Sequence, residues 1–436
     1  MSFETSALDI INWLESAVDT ATTGKLIKER YKIPDSAWVN RYRSDCAMEA
    51  AYAFLLAWRY TGTEKYLTLS RELYSGASSL QNDDGSFPYY SGVTRSYTND
   101  NAEVAIFLLR MAEIDKENTK LYRSKALEVT DYLLSIQNAD GSWRRSTDDA
   151  TASPLFTAHA VSALATAYKY TGNQTGYKNA IASALGWISG KILPSGMITL
   201  AGAGETQRPP SSDQAIVIRA FAHAELFVEN NTAWRQNRDT LMAWFSQLIT
   251  EDGAVKNGLG TGANGADTEN VTDHVYTTAF AVEAFFYSFC ADGNTAYFRN
   301  AMKILRFVQR NVYYSAVPEL NGVVRGAFSL KDKNWDTSEA ALDTNGQGGG
   351  NVAYTGWTNA PLAAHLMEFA DSARNETLLS VFANNKRIRI AADNKGVLRL
   401  GVDGKTVKFP VTEETGVHAS LVKIHSNGNN HTLAYC

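Results

Sequence analysis

Six short segments of this chain gather carboxylates, arginines and aromatic rings between them, five with an aspartate and the first four with an arginine before it. They are Trp38-Val-Asn-Arg41-Tyr42-Arg43-Ser-Asp45, Arg95-Ser-Tyr97-Thr-Asn-Asp100 and Arg144-Arg145-Ser-Thr-Asp148-Asp149, then Gln207-Arg208-Pro-Pro-Ser-Ser-Asp213, Asp273-His274-Val-Tyr276 and Tyr354-Thr-Gly-Trp357. An aspartate in front of a helix is ordinarily an N-cap, worth about 1 kcal/mol. Capping does not explain the arginines and rings beside it. Carboxylates that bond hydroxyls or act as acid and base, with rings that stack on pyranose faces, suit a sugar ligand. Asp100, Asp148, Asp149 and Asp213 are the acid/base candidates. Asp148 and Asp149 are adjacent, and such a pair held close can share a proton, leaving one member neutral near pH 7. His274 and Tyr276 offer a second chemistry, β-elimination from a uronate. There one group takes the C5 proton and a protonated tyrosine serves the leaving oxygen. Trp38, Arg41, Tyr42, Arg43, Arg95, Tyr97, Arg145, Arg208 and Trp357 are the expected binding residues. The arginines have the bidentate reach for a carboxylate or sulfate. Their clustering on a chain of net charge −5 predicts a positive mouth that attracts anionic glycans. The competing account is that each arginine only neutralises the aspartate a few residues onward.

Positioning these segments falls to helices. Each one precedes an alanine-rich stretch that is apolar almost all round, with starts near residues 44, 100, 154, 213, 273 and 355. Helices of that kind are buried on most sides. His159, His223 and His365 lie inside them and read as core histidines with satisfied partners. Amphipathic helices alternate with the apolar ones; Tyr122, Ala126, Val129, Leu133 and Ile136 form one such stripe. The turns between them repeat: Gln81-Asn-Asp-Asp-Gly85-Ser-Phe87 and Gln137-Asn-Ala-Asp-Gly141-Ser-Trp143 lie 56 residues apart, with echoes at Gly196 and Gly253. A helix over roughly 5–29 supplies a sixth outer element. The expectation is an all-α (α/α)6 toroid over residues 1–383. Residues 384–436 alternate at period two and form a small β segment, with Asp403-Gly404 as a hairpin turn. Gly260-Thr-Gly262-Ala-Asn-Gly265 spells a dinucleotide-type pattern but follows a helix, so it reads as a flexible loop. Asp267, Glu269 and Asp273 could form a cation loop, without EF-hand spacing. The 317–351 stretch, with Trp335 and a glycine run to Gly350, reads as a lid.

Composition narrows the rest. The 436 residues are 44% hydrophobic and 20% charged, as in ordinary globular proteins. The acidic balance gives no basic footprint for nucleic acid. No apolar run approaches the roughly 18 residues of a membrane span. The amphipathic N-terminus lacks a basic region and is not a signal peptide, so a cytoplasmic location is expected. Cys46, Cys290 and Cys436 have neither disulfide-framework nor metal-ligand spacing. The expected partner is a glycan, with no cofactor and no metal.

Tyr132-Leu133-x3-Gln137-x3-Gly141-x-Trp143 resembles the QW motif of terpenoid-cyclase and prenyltransferase toroids. The same Gln-x-x-Asp-Gly-aromatic turn is similar to that of α/α-toroid enzymes acting on polysaccharides: hydrolases, lyases and uronate epimerases. Thr98-Asn-Asp100-Asn-Ala102 resembles the Asp-Asn-Ala helix start of some toroid glycosidases, and Asp148-Asp149 is similar in composition to their adjacent catalytic aspartates. The resemblance implies a carbohydrate-active toroid that cleaves glycosidic bonds, by hydrolysis or elimination. A class II cyclase is the alternative, and its Asp-x-Asp-Asp-Thr-Ala motif has its nearest text at Ser146-Thr-Asp148-Asp149-Ala-Thr-Ala152. Serine stands there for the first aspartate, and an alanine is inserted. A non-catalytic glycan-binding toroid is the third reading.

Overall fold

A computed structural model describes residues 2–22, 24–171, 175–198, 210–259, 269–335 and 349–374, and six strands between Thr377 and Tyr435. Its helices alternate between two rings. The inner ring is α2 (Ser44–Thr61), α4 (Thr98–Ile114), α6 (Pro154–Thr171), α8 (Pro210–Phe227), α10 (Thr278–Asp292) and α12 (Ala360–Arg374). The outer ring is α1 (Phe3–Ala17), α3 (Glu64–Ser78), α5 (Thr119–Ser135), α7 (Thr175–Ser189), α9 (Thr232–Phe245) and α11 (Thr295–Arg310). Each inner helix packs on the next, and α12 packs back on α2, which closes the toroid. Small residues let these helices approach: Ala47, Ala50, Ala51 and Ala53 of α2, and Ala158, Ala160, Ala163 and Ala165 of α6, are fully buried. No helix among the described residues is long and apolar enough to cross a membrane.

The repeated turns lock the two rings together. Gly141 has φ +90°, and a Cβ there would lie 2.4 Å from Ser183 Oγ and 2.8 Å from the Ser183 backbone on α7. Gly85, Gly196 and Gly253 sit the same way on α5, α9 and α11. Gly322 (φ +78°) packs on Asp9 of α1, so the last turn joins the first outer helix and seals the ring. Gln81 and Gln137 brace their own turns by donating to the carbonyls of Gly85 (2.8 Å) and Gly141 (3.0 Å). A side chain at the head of the following inner helix then pins three of these turns. Asn101 accepts from Phe87 N (2.6 Å), Gln214 from Ile198 N (2.9 Å) and Asn359 from Val324 N (2.8 Å). This outward anchor leaves the preceding residue, about 100° round the helix, on a different face.

Strands interrupt the helical pattern at the start. The first helix ends at Ala17, not near residue 29, because Val18 turns extended (φ −69°, ψ 133°). The run from Val18 through Gly24 to Lys32 then builds β1 (Val18–Ala21) and β2 (Gly24–Lys32), followed by β3 (Ala37–Tyr42). Two short strands, β4 (Val271–Asp273) and β5 (Ala327–Ser329), pair antiparallel with each other, and β6 (Val352–Tyr354) pairs antiparallel with β2. At the other end of the chain, β7 (Thr377–Ala383), β8 (Lys386–Ala392), β9 (Leu398–Val402) and β10 (Lys405–Phe409) form an antiparallel meander. β11 (Val422–Asn427) and β12 (Asn430–Tyr435) form a hairpin. The meander starts at Thr377, ahead of the boundary at residue 384 expected from the alternation.

Candidate active site

The β2–β3 ribbon leads directly into α2 and aims its side chains by strand alternation. Arg41 and Arg43 share one face. Arg43 grips Asp45 with two bonds, Nε–Oδ1 at 3.0 Å and Nη2–Oδ2 at 2.6 Å. The same Nη2 lies 3.0 Å from Asp100 Oδ1 on α4, and Nη1 lies 3.5 Å from Glu29 Oε1 on β2. Burial works against the charge of Arg43, but Asp100 and Asp45 outweigh it and hold the guanidinium protonated. Two carboxylate oxygens, Asp45 Oδ2 and Asp100 Oδ1, thus lie within 3.0 Å of one nitrogen. Tyr89 stacks on Arg43 with the guanidinium 4.6 Å from its centroid, and Tyr97 meets Tyr89 edge-on at 4.9 Å.

Trp357 lies beneath this cluster. It follows Gly356 at the head of α12 in the left-handed region, φ +58°, a strained conformation for a bulky residue. Two carboxylates one turn apart on α2 hold it there. Asp45 accepts from the indole Nε1 at 2.6 Å, and Glu49 accepts from the backbone N–H. Gly356 is required, since a Cβ would lie 2.5 Å from Cys46 Sγ and 2.7 Å from Glu49 Oε2. Burial, with Asp45 nearby, pushes the Glu49 carboxyl well above its ordinary value.

Below Trp357 a second polar cluster fills the barrel. His159 meets the indole at 5.9 Å and pairs through Nδ1 with Glu103 Oε1 at 2.7 Å. Arg219 bridges Glu103 and Glu283, the latter at 2.6 Å, and Arg110 reaches Glu283 at 2.6 Å. Burial alone would raise Glu103, but Arg219 and His159 hold it down at about 2. Arg110 and Arg219 likewise hold Glu283 low against burial. His365 lies 3.1 Å from Glu368, and His223 is held neutral by burial, at about 3. The three inner-helix histidines are thus buried, as their alanine-rich setting suggested.

Of the residues singled out in the sequence, Asp100, Arg41, Arg43, Tyr97 and Trp357 come together at this mouth. Tyr276 joins them, its ring 6.3 Å from Trp357. Asp213 is buried in the first turn of α8, one residue before its anchor Gln214, as Asp100 precedes Asn101. Others go elsewhere. Trp38 and Tyr42 lie on the opposite ribbon face: Trp38 stacks on Trp13 of α1 at 5.4 Å, and Tyr42 donates to Asp19 at 2.9 Å. His274 stacks on Phe307 of the outer ring, donor or acceptor to Thr278 at 2.9 Å, and burial holds it neutral at about 3. Its ring neighbours are thus Phe307 and Trp335, whereas that of Tyr276 is Trp357. Asp148 and Asp149 do not share a proton either. Hydrogen bonds from Ser146 to Asp148 and from Thr151 to Asp149 hold both below the usual carboxylate range on a half-exposed turn. Arg95 pairs with Asp148 and Arg145 with Asp149, so the positive mouth is neutralised by local ion pairs. Arg208, Asp267 and residues 336–348 of the expected lid lie outside the described residues. Glu29, Asp45, Glu49, Glu103, Arg219 and Glu283 were not singled out as site residues. A charged residue inside an alanine-rich helix, as at Glu49 and Glu103, was the available signal.

No family model and no curated protein matches this chain. Solved structures do match its fold. Cellobiose 2-epimerase from Bacillus thermoamylovorans has a TM-score of 0.60 at 11% identity, covering 84% of this chain and 98% of its own. The GH76 alpha-mannanase of Bacteroides thetaiotaomicron has a TM-score of 0.62 at 12% identity, covering 86% and 97%. A D-mannose isomerase gives 0.61 at 11%, covering 86% and 97%. The chain is an (α/α)6 toroid with the architecture of these enzymes.

Proposed function

We propose that this protein is a carbohydrate-active enzyme that cleaves glycosidic bonds at the mouth of the toroid, with Asp100 as a catalytic carboxylate. The observation that carries the reading is the grouping of Asp45 and Asp100 on one arginine beside the aromatic rings of Tyr89, Tyr97 and Trp357. In the mechanism we have in mind, one carboxylate attacks the anomeric carbon and an acid protonates the leaving oxygen. Asp213, in the matching first-turn position of α8, is the candidate for that acid. The toroid enzymes of like fold include a mannanase, and this supports the sugar ligand. The test is a panel of α- and β-linked mannans and glucans assayed for new reducing ends, with wild type and Asp100→Asn compared. If no glycan is cleaved by wild type, or if Asp100→Asn cleaves as fast, the hydrolytic reading fails.

The Glu103–His159 pair favours a second reading. A glutamate fixing Nδ1–H leaves an imidazole suited to take a proton α to a carbonyl. Toroids of like fold include a sugar epimerase and an isomerase. Conversion of cellobiose or mannose without bond cleavage, followed by NMR and abolished by His159→Gln, would select this reading over hydrolysis.

A further inference from the structure

Three arginines of the mouth converge on a carboxylate that the protein supplies itself. Glu29 lies on β2 with no exposed surface. Arg30 Nη1 donates to its Oε2 at 2.6 Å, Arg41 Nη1 lies 3.7 Å from Oε2, and Arg43 Nη1 lies 3.5 Å from Oε1. The guanidiniums are themselves held in place. Tyr89 packs against Arg41 and Arg43, 5.6 and 4.6 Å from its centroid. Tyr354 packs against Arg30 at 5.3 Å and accepts from it at 3.2 Å. Guanidiniums held in place around one point, Arg30 bonded to it and Arg41 and Arg43 within 3.7 Å, suit recognition of a carboxylate. In this protein that point is filled.

We infer that Glu29 is a specificity-determining residue, which occupies the anion site of the mouth from within and restricts the site to uncharged sugars. The inference rests on reading the mouth as a sugar site. A uronate or sulfated sugar would have to displace a buried carboxylate from its three arginines. Otherwise it must set its own charge beside Glu29, Asp45 and Asp100. Both are unfavourable, and a neutral hydroxyl meets neither obstacle. The arginine-rich sequence before α2 therefore signals an internal anion and not an anionic ligand.

Acetate tests this directly, because Glu29→Ala removes the atoms that acetate can restore. The Glu29→Ala protein is expected to melt well below wild type. Acetate and D-glucuronate should raise its melting temperature by several degrees, while chloride at equal ionic strength and D-glucose should not. Wild type should respond to neither anion. Glu29→Gln keeps the shape without the charge, and it should bind D-glucuronate at least tenfold more tightly than wild type in calorimetric titration. If Glu29→Ala cannot be obtained folded, the Glu29→Gln titration decides alone. The inference is overturned if either variant is no more responsive to acetate and D-glucuronate than wild type, or if wild type already binds D-glucuronate as tightly as Glu29→Gln. Neither measurement depends on turnover. A protein inert to every glycan but responsive as a Glu29 variant would sink the sugar reading and leave the anion site standing.

Discussion

Two charge clusters share the axis of this toroid, one above Trp357 and one below it, and they are built to different ends. The lower cluster is closed. Arg110 and Arg219 alternate with Glu103 and Glu283, each guanidinium bonded to carboxylates from other inner helices, and every member is buried or nearly so. Its carboxyls are held far below their ordinary range, so its charges are fixed. The upper cluster crowds Asp45, Asp100 and Glu29 onto Arg43, keeps Arg41 partly exposed, and has Glu49, its carboxyl raised by burial, one turn beneath. Charge pairing alone therefore does not mark a functional site. A network that satisfies each member from several helices staples the barrel. One that gathers carboxylates beside aromatic rings and a strained tryptophan has the makings of chemistry.

Breaking the lower cluster should have the largest effect on the fold. Arg219→Met leaves two buried carboxylates without their shared cation, and a loss of about 3–5 kcal/mol is expected. Urea denaturation measures it, and a loss below about 1 kcal/mol would merge the two clusters into one class. Asp100→Asn should do the reverse, lowering activity by about 10²–10⁴-fold while the melting temperature changes little. Acid sharpens the contrast. Glu103 has a folded value depressed to about 2, so its stabilisation is complete above the ordinary glutamate value and is lost as pH falls through that value towards about 2. Denaturation midpoints of Glu103→Gln should accordingly vary less with pH than those of wild type between about pH 5 and 2. The smallest effect is expected at the exposed Arg95–Asp148 pair. Asp148→Asn should leave both activity and melting temperature unchanged. A loss of activity there would return the adjacent aspartates to the catalytic role suggested by their spacing.

The parts of the candidate site legible in the sequence are those set by helix starts. Asp100, Arg43 and Trp357 each stand just before or within the first turn of an alanine-rich helix, and all such starts meet at one end of the ring. Trp38 and Tyr42 were misplaced because residues 37–42 are a strand, where neighbours point to opposite faces and nothing local to the segment says which face looks inward. Glu29 was hidden for a related reason. Continuing the first helix to residue 29 placed it on an outer surface, whereas β2 pairs with β6 and carries it into the mouth.

The sequence by itself determined the toroid. Uniformly apolar, alanine-rich stretches can bury themselves only inside a second layer, and recurring Asp-Gly turns fix where each hairpin reverses. Those are local properties, legible within a window of a dozen residues. Only the tertiary structure decided which carboxylate each arginine meets. Arg43 could have faced an anionic ligand or Asp45 alone, and it meets Asp45, Asp100 and Glu29 together. That choice depends on a strand register and on the closing of α12 against α2, contacts between residues more than 300 positions apart. An ion pair is specified by distance in space, and composition and periodicity carry no information about which distant groups the closed ring brings within 3 Å.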